Sequence, residues 1–490
     1  MWNTIRNLSL VLLLLSVPLF GALPAATTWE VRTAGNVNNG GCFVTGSSGT
    51  DFSQQDANQY TFTDLVLVTT TTVSSVSHAF AAADIGNCIH ITAGTGFTQG
   101  FYQIVSQAAG VATLDRAAGT MGSTGGTYAV GGAVALPATA ASNATACNTI
   151  YLKADGTYTV TAATTIATVC VVGRSSFIGY TTTRTDLGRI TWTTATNSTI
   201  LVASTNATGY SFQNINFSNT AGTRATAING STNDGSMFSI DNCTFDGFTI
   251  AIQGDRSVVS GAFPGLTIMN SEIKNSSSHG ISNSSGAVIF GSTIHNNGGD
   301  GIRLNGNNGG ADGQMDTMVI ASVVYSNTAD GLGLTNQTST NAAFPRNIYI
   351  VNSVFYGNGS DGIALTAQAS NTPLSMAVYN SIIYNNTSNG ITLSQAGVIS
   401  FARNNAFGAN GTARTNWPVG VGDVTLTADP FVNAAGANFA LNSTAGGGVS
   451  CKAAGFPGVL ITGGTGFMDI GPVQAQFGSS SGQKSCGFVQ

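Results

Sequence analysis

Charge is what this chain has least of. Of 490 residues, only 16 are Lys or Arg and 21 are Asp or Glu. The basic residues form no stripe or cluster, so the electrostatic footprint that a phosphate backbone requires is missing and no nucleic-acid partner is expected. None of the 7 cysteines stands in a Cys-x-x-Cys pair, which argues against a zinc site or a thioredoxin-like centre. Beyond the N-terminus no apolar run reaches the length of a bilayer, so no membrane span is expected once a leader is removed. What remains is rich in Gly, Ser, Thr, Asn and Ala, with hydrophobic residues at 42%. That is enough for a core, and the chain reads as folded rather than disordered.

Arg6 precedes the apolar run Leu8–Phe20, and small residues follow from Gly21 to Ala26. This is the three-part layout of a secretory signal peptide, expected to occupy residues 1–26, with the mature protein secreted, extracellular or at the cell surface. Cysteine usage fits export. Local pairing suggests disulfides Cys42–Cys88, Cys147–Cys170 and Cys451–Cys486, while Cys243 reads as a small buried filler.

Between residues 210 and 407, eight ten-residue windows align: YSFQNINFSN, FSIDNCTFDG, LTIMNSEIKN, AVIFGSTIHN, MVIASVVYSN, IYIVNSVFYG, MAVYNSIIYN and FARNNAFGAN. The third place (Phe212, Ile240, Ile268, Ile289, Ile320, Ile350, Val378) and the eighth (Phe217, Phe245, Ile273, Ile294, Tyr325, Phe355, Ile383) are core columns. Between them the fifth place holds Asn214, Asn242, Asn270, Gly291, Ser322, Asn352 and Asn380. Asn tolerates a left-handed turn, and amides stacked in register can hydrogen-bond along a column. The windows start 21 to 31 residues apart, the length of one coil of short strands and turns.

A second column follows the strands: His279-Gly280-Ile281, Asp300-Gly301-Ile302, Asp330-Gly331-Leu332, Asp361-Gly362-Ile363 and Asn389-Gly390-Ile391. Asp-Gly and Asn-Gly mark turns. Stacked carboxylates at Asp300, Asp330 and Asp361 form a candidate Ca²⁺ site, since that cation takes several oxygens. The turn alone also asks for Asp or Asn, and this structural origin is the weightier reading.

These repeats resemble those of secreted right-handed parallel β-helix proteins of the pectate-lyase-like superfamily. Two other stretches carry the likeness: Asn148-Thr149-Ile150-Tyr151 through Gly156-Thr157-Tyr158 resembles an opening coil, and Asp429-Pro430-Phe431-Val432-Asn433, Phe439-Ala440-Leu441 and Asp469-Ile470-Gly471-Pro472 resemble a closing pattern. The resemblance covers about residues 136–475 and implies an all-β, right-handed parallel β-helix solenoid. Residues 27–135 are expected to form a small N-terminal β module or cap, similar to modules in phage tail proteins. The helix itself should span 136–445 and a C-terminal capping segment 446–490.

Residues flanking the eighth place should point outward. Asp246, Glu272, Lys274 and His295 then fall on adjacent coils, a concentration of charge in a chain that has little. A lyase needs a base beside a cation or metal, roles open to Lys274, His295 and Arg303 with Asp300. A hydrolase needs two carboxyl groups, and Asp246 with Glu272 is the best pair. Tyr356 and Tyr384 offer a platform for sugar rings. The competing reading makes all of these solubilising or turn residues. The consecutive Asp residues of family polygalacturonases are missing. The expected partner is extracellular polysaccharide, engaged by a lyase-like or hydrolytic enzyme or, as the alternative, by a non-catalytic adhesin or fibre component for which self-association is open.

Overall fold

The computed structural model describes residues 27–473 apart from 144–146, 167–173, 197, 204–208, 222–223, 231–236, 255–264, 284–285, 306–315, 336–345, 366–373, 395–397 and 457–467. The expected signal peptide therefore lies outside the described residues, as do Cys170 and Cys486.

Short strands pile into three sheets of 12, 11 and 10 strands. Each complete coil gives one strand to each, and the terminal coils are partial. The first sheet runs from Cys42–Val44 and Thr27–Val31 through Thr149–Lys153 to Ile399–Arg403, the second from Thr157–Val160 to Val424–Thr425, and the third from Thr164–Ile166 to Thr412–Thr415. Successive strands pair in parallel, residue on like residue, as in Phe212↔Ile240 and Ile240↔Ile268. Among the described residues of these three sheets, only the terminal Cys42–Val44 strand pairs antiparallel with its neighbour. Within strands burial alternates, so like side chains from all three sheets meet in one core from Trp29 to Trp417. The chain is a parallel β-solenoid, as the repeats imply.

Register corrects the fifth window. Val319, not Ile320, stacks between Ile289 and Ile350, and Val324, not Tyr325, between Ile294 and Phe355. The left-handed turn of that coil falls on Ala321 (φ 49°), in line with Asn214 (59°), Asn242 (51°), Asn270 (48°), Gly291 (57°), Asn352 (49°) and Asn380 (50°). Met318, Val319 and Ile320 are all apolar, so periodicity could not choose between them. Ala321 also lacks the side chain that marks the turn elsewhere.

The fifth-place amides do not make one continuous column. Asn242 donates to Asn214 at 2.7 Å and Asn270 to Asp241 at 3.0 Å, but Gly291 and Ala321 carry no amide. The unbroken amide ladder runs elsewhere: Asn297, Asn327, Asn358, Asn386 and Asn410 donate each to the next at 2.9 to 3.0 Å. A parallel column of hydroxyls, Ser271, Ser292, Ser322, Ser353 and Ser381, accepts the backbone N–H one coil earlier at 3.1 to 3.3 Å. Both columns satisfy backbone groups at the corners where the strands turn and the sheet ladders stop. In the Asp-Gly turns, Gly301, Gly331 and Gly362 are needed for close approach rather than for positive φ. A Cβ on Gly331 would lie 2.6 Å from the carbonyl oxygen of Gly362.

At the N-terminus, Tyr60–Leu67, Thr72–Ser74, Val111–Leu114, Gly100–Ala108, Cys88–Ala93 and Gly126–Val130 close into a barrel with its own core. The Cys42–Cys88 disulfide, with Cα atoms 5.2 Å apart, ties that barrel to the first sheet. Beside it Glu30 is fully buried, held by Arg32 (3.0 Å), Arg184 (2.7 Å) and the Tyr180 hydroxyl. Arg184 continues to Asp51 at 3.1 Å and Arg32 to Asp56 at 3.0 Å. The charge that the surface lacks is thus spent partly on this joint, where each buried ion has a partner. Cys147 is also disulfide-bonded. Cys451 is a buried free thiol, which corrects the expected third bridge.

After the last coil the chain turns back along the flank of the solenoid. Phe431–Asn433 and Asn438–Leu441 pair as an antiparallel hairpin, here termed the strap. With Cys451 and Ile470 it packs on the outer side of the second sheet against Tyr325, Val354, Ile382, Tyr384 and Ala406. Among the described residues the C-terminal segment covers this side, while Ile399 and Phe401 of the last first-sheet strand stay 57% and 51% exposed.

Candidate functional site

On the second sheet, strands Thr244–Asp246, Glu272–Lys274 and Thr293–His295 are neighbours, and each presents its first and last residue away from the core. The register sets Asp246 beside Lys274 and Lys274 beside His295. From there the column continues through Tyr325, Tyr356 and Tyr384.

Glu272 is the centre of the cluster. Its Oε2 meets Lys274 Nζ at 2.9 Å and its Oε1 meets His295 Nε2 at 3.1 Å. A carboxylate only accepts, so Nε2 carries the proton in this contact. The His295 hydrogen bond and the Lys274 charge hold the Glu272 carboxyl down at about 2, against the upward push of burial. Glu272 is therefore an anion at every ordinary pH. Its side chain is 37% exposed, Lys274 is 25% exposed and His295 only 10%, so Glu272 and Lys274 face the outside while His295 stands behind them. Asp246 is held apart by Asn275, which donates to it at 2.8 Å.

Arg303 does not join this group. It lies on the third sheet and pairs with Asp300 at 3.2 Å. Tyr356 and Tyr384 stack at 6.1 Å and 9°. The strap takes the outer surface of Tyr356, with Phe431 and Phe439 each 5.7 Å away, and Tyr384 is 8% exposed. The tyrosine column is thus a docking face for the chain's own C-terminal segment, not an open platform.

The carboxylates of the turn column also have structural work. Asp300 accepts the backbone N–H of Asp330 at 3.2 Å, Asp330 that of Asp361 at 3.0 Å, and Asp361 that of Asn389 at 2.8 Å. Burial, with Asp300 and Asp361 on either side, raises the Asp330 carboxyl. Among the described residues no group of three or more His, Cys, Asp or Glu side chains is placed to hold a metal ion. These hydrogen bonds fit a turn ladder. Cys243 is fully buried, its thiol pushed up to about 12.

Two participants escaped sequence reasoning. Tyr325, assigned to the core, lies flat on His295 with ring centroids 4.6 Å apart and 7° between planes. Arg189, nine residues after Tyr180, reaches Asn242 and, at 3.1 Å, Thr244, one strand from Glu272. Nothing in a linear reading joins Arg189 to Asn242 and Thr244. The first was lost through the one-residue slip of the fifth window.

No family model matches the chain, and no curated protein matches it. Among solved structures it is similar to the catalytic domain of a GH87 α-1,3-glucanase in complex with nigerose, at 15% identity and TM-score 0.30 over 75% of this chain and 89% of that one. The periplasmic alginate epimerase AlgG is 13% identical with TM-score 0.26, covering 57% of this chain and 76% of that one. The tailspike protein gp49 of Pseudomonas phage LKA1 is 10% identical with TM-score 0.20, covering 75% and 67%. Likenesses this distant carry no argument about chemistry, and the fold rests on the strand register itself. No helix of the described residues is long and apolar enough to cross a membrane.

Proposed function

We propose that this protein is exported and engages extracellular polysaccharide along the uncovered part of the second sheet, with Glu272 and Asp246 accepting from sugar hydroxyls and Lys274 donating to them. The observation that carries the reading is the Glu272–Lys274–His295 cluster, a fixed, ionised acceptor with Asp246 beside it and Arg189 reaching Thr244, on a flat face whose remaining outward residues are neutral Thr, Asn and Ser. Flat rows of hydroxyl and amide groups at strand spacing suit an extended glycan, and the Cys42–Cys88 bridge suits an oxidising compartment.

The same geometry favours binding over bond cleavage. Glu272 is too acidic to donate a proton, so the hydrolase pair would leave Asp246 as the acid, and Asn275 donates to that carboxylate. Lys274 and His295 are both spent on Glu272, which leaves a lyase without a free base.

The test is a panel of neutral and uronate-containing polysaccharides, with and without Ca²⁺, followed by calorimetry and by assays for unsaturated products and new reducing ends. Binding without products, weakened about tenfold by Glu272→Gln, is expected, which is the loss of one charge-assisted contact. Products would make the protein an enzyme. Absence of binding across the panel would sink the reading in favour of a structural fibre component.

A further inference from the structure

The strap ends where the candidate site begins. Phe439 packs on Tyr325 with centroids 5.0 Å apart, Tyr325 lies flat against His295, and His295 donates to Glu272. His295 is 8% exposed, yet its Nδ1 is buried without a hydrogen-bond partner among the described residues. Most buried imidazoles are oriented through that second nitrogen. Among the described residues the ring stacks on the Tyr325 face and hydrogen-bonds to the Glu272 carboxylate.

We propose that Tyr325 and Phe439 are positioning residues, and that the C-terminal strap completes the Glu272 site by clamping the His295 ring through Tyr325. The proposal draws on the glycan reading only for its effect on affinity. The chain of contact is physical. Without Phe439 the Tyr325 ring loses its outer neighbour and gains rotamer freedom, and the imidazole stacked on it is held less firmly against the carboxylate. Glu272 would keep Lys274 but lose its more buried partner, and a carboxylate tethered on one side presents its lone pairs in several directions. A remote segment, more than 140 residues on in the chain, thereby decides whether the site is pre-organised.

The test uses the full-length protein labelled with ¹⁵N in its 4 histidines. The His295 Nε2–H proton, shielded from water and bonded to a carboxylate, should appear as a slowly exchanging imidazole signal, assigned by its loss in His295→Gln. Phe439→Ala and Tyr325→Leu should abolish that signal, while Tyr325→Phe, which keeps the ring face, should retain it. Tyr325→Leu also preserves apolar packing under the strap, so a Phe439→Ala variant that misfolds would not remove the test. Persistence of the signal in Tyr325→Leu, with the thermal transition intact, would overturn the proposal. If glycan binds the native protein, affinity should fall about three- to tenfold in the variants that lose the signal. Loss of the signal with no glycan bound by any form would uphold the positioning role and reject the binding reading, so the two can fail separately.

Discussion

The two ends of the solenoid solve the same packing problem with different materials. In the N-terminal coils the interior is aromatic: Phe177 stacks on Phe212 at 5.3 Å, Trp192 on Phe217 at 5.8 Å, and Phe217 on Phe245 at 4.8 Å. The outer face of the second sheet there is polar and open. In the C-terminal coils the interior is largely aliphatic, the corners carry the Asn and Ser ladders, and the outer face turns apolar through Val323, Val354, Ile382 and Ala406 under the strap. A solenoid is a sum of coils and interfaces, so each coil must find its own stabilisation. Large rings provide it at one end, and satisfied polar corners with a second hydrophobic layer provide it at the other. The charged cluster sits at the seam, where an open polar face meets a wall.

The comparison is sharpest where a ring is deleted. Phe217 contacts rings above, below and beside it, so Phe217→Ala should cost about 3–5 kcal/mol in denaturant unfolding. Ser218→Ala, next in the chain but on the open face, should stay within about 0.5 kcal/mol. In the covered half the outer face should respond like a core. Phe431→Ala removes the ring that meets Tyr356 and Phe439 and should cost about 3 kcal/mol. Limited proteolysis should then cut near the hairpin before the coils open. Equal sensitivity of Ser218 and Phe431 would erase the distinction between the two halves.

How much of this the residues announce depends on which group marks a position. The coils are legible because stacking demands like residues at like places, and Phe212, Ile240 and Ile268 show it. The ladder was assigned to the fifth column since Asn recurs there, but recurrence at that place reflects left-handed φ, which Gly291 and Ala321 also supply. The true amide column begins at Asn297, just beyond the windows that displayed the repeat. Glu272, Lys274 and His295 could be grouped in advance because they flank one core column. The side-chain contacts that couple them could not, because the strand pattern does not say which outward groups meet, and the cover over Tyr356 and Tyr384 could not, because it depends on a tertiary fold-back from residues 429–441. The acid column reads from sequence both as a turn and as a metal site, and the hydrogen bonds to the next coil fit the turn.

The ladder itself makes the C-terminal half brittle in a way the aromatic half is not. Asn358 donates to Asn386 at 2.9 Å, accepts from Asn327 at 3.0 Å and receives the Asn327 backbone N–H at 3.2 Å. Asn358→Ala would strand the Asn327 backbone and side-chain donors on one coil and remove the side-chain donor to Asn386 Oδ1 on the next, with an expected cost of about 2–3 kcal/mol. Asn358→Asp, which keeps the acceptor but loses the donor, should recover part of the loss if acceptance of the backbone N–H dominates. Hydrogen exchange at the Asn327 amide would show directly whether the rung has opened.

The smallest effect expected comes from the acid column, and it has the opposite sign. Asp330 stands between Asp300 and Asp361, and burial raises its carboxyl above the 3.8 of a free aspartate. A carboxyl raised on folding binds its proton more tightly in the native chain than in the unfolded one. It therefore imposes no penalty below the unfolded value, and stability is lost as pH climbs through the folded value. Asp330→Asn removes that penalty while keeping an oxygen for the Asp361 backbone N–H. The variant should melt slightly higher than the native protein at pH 7, with the gap closing below about pH 4 as Asp330 takes up its proton in both states. A variant that melts lower at pH 7 would mean that the negative charge is itself needed at the turn, and the column would have to be read again as a site for a cation.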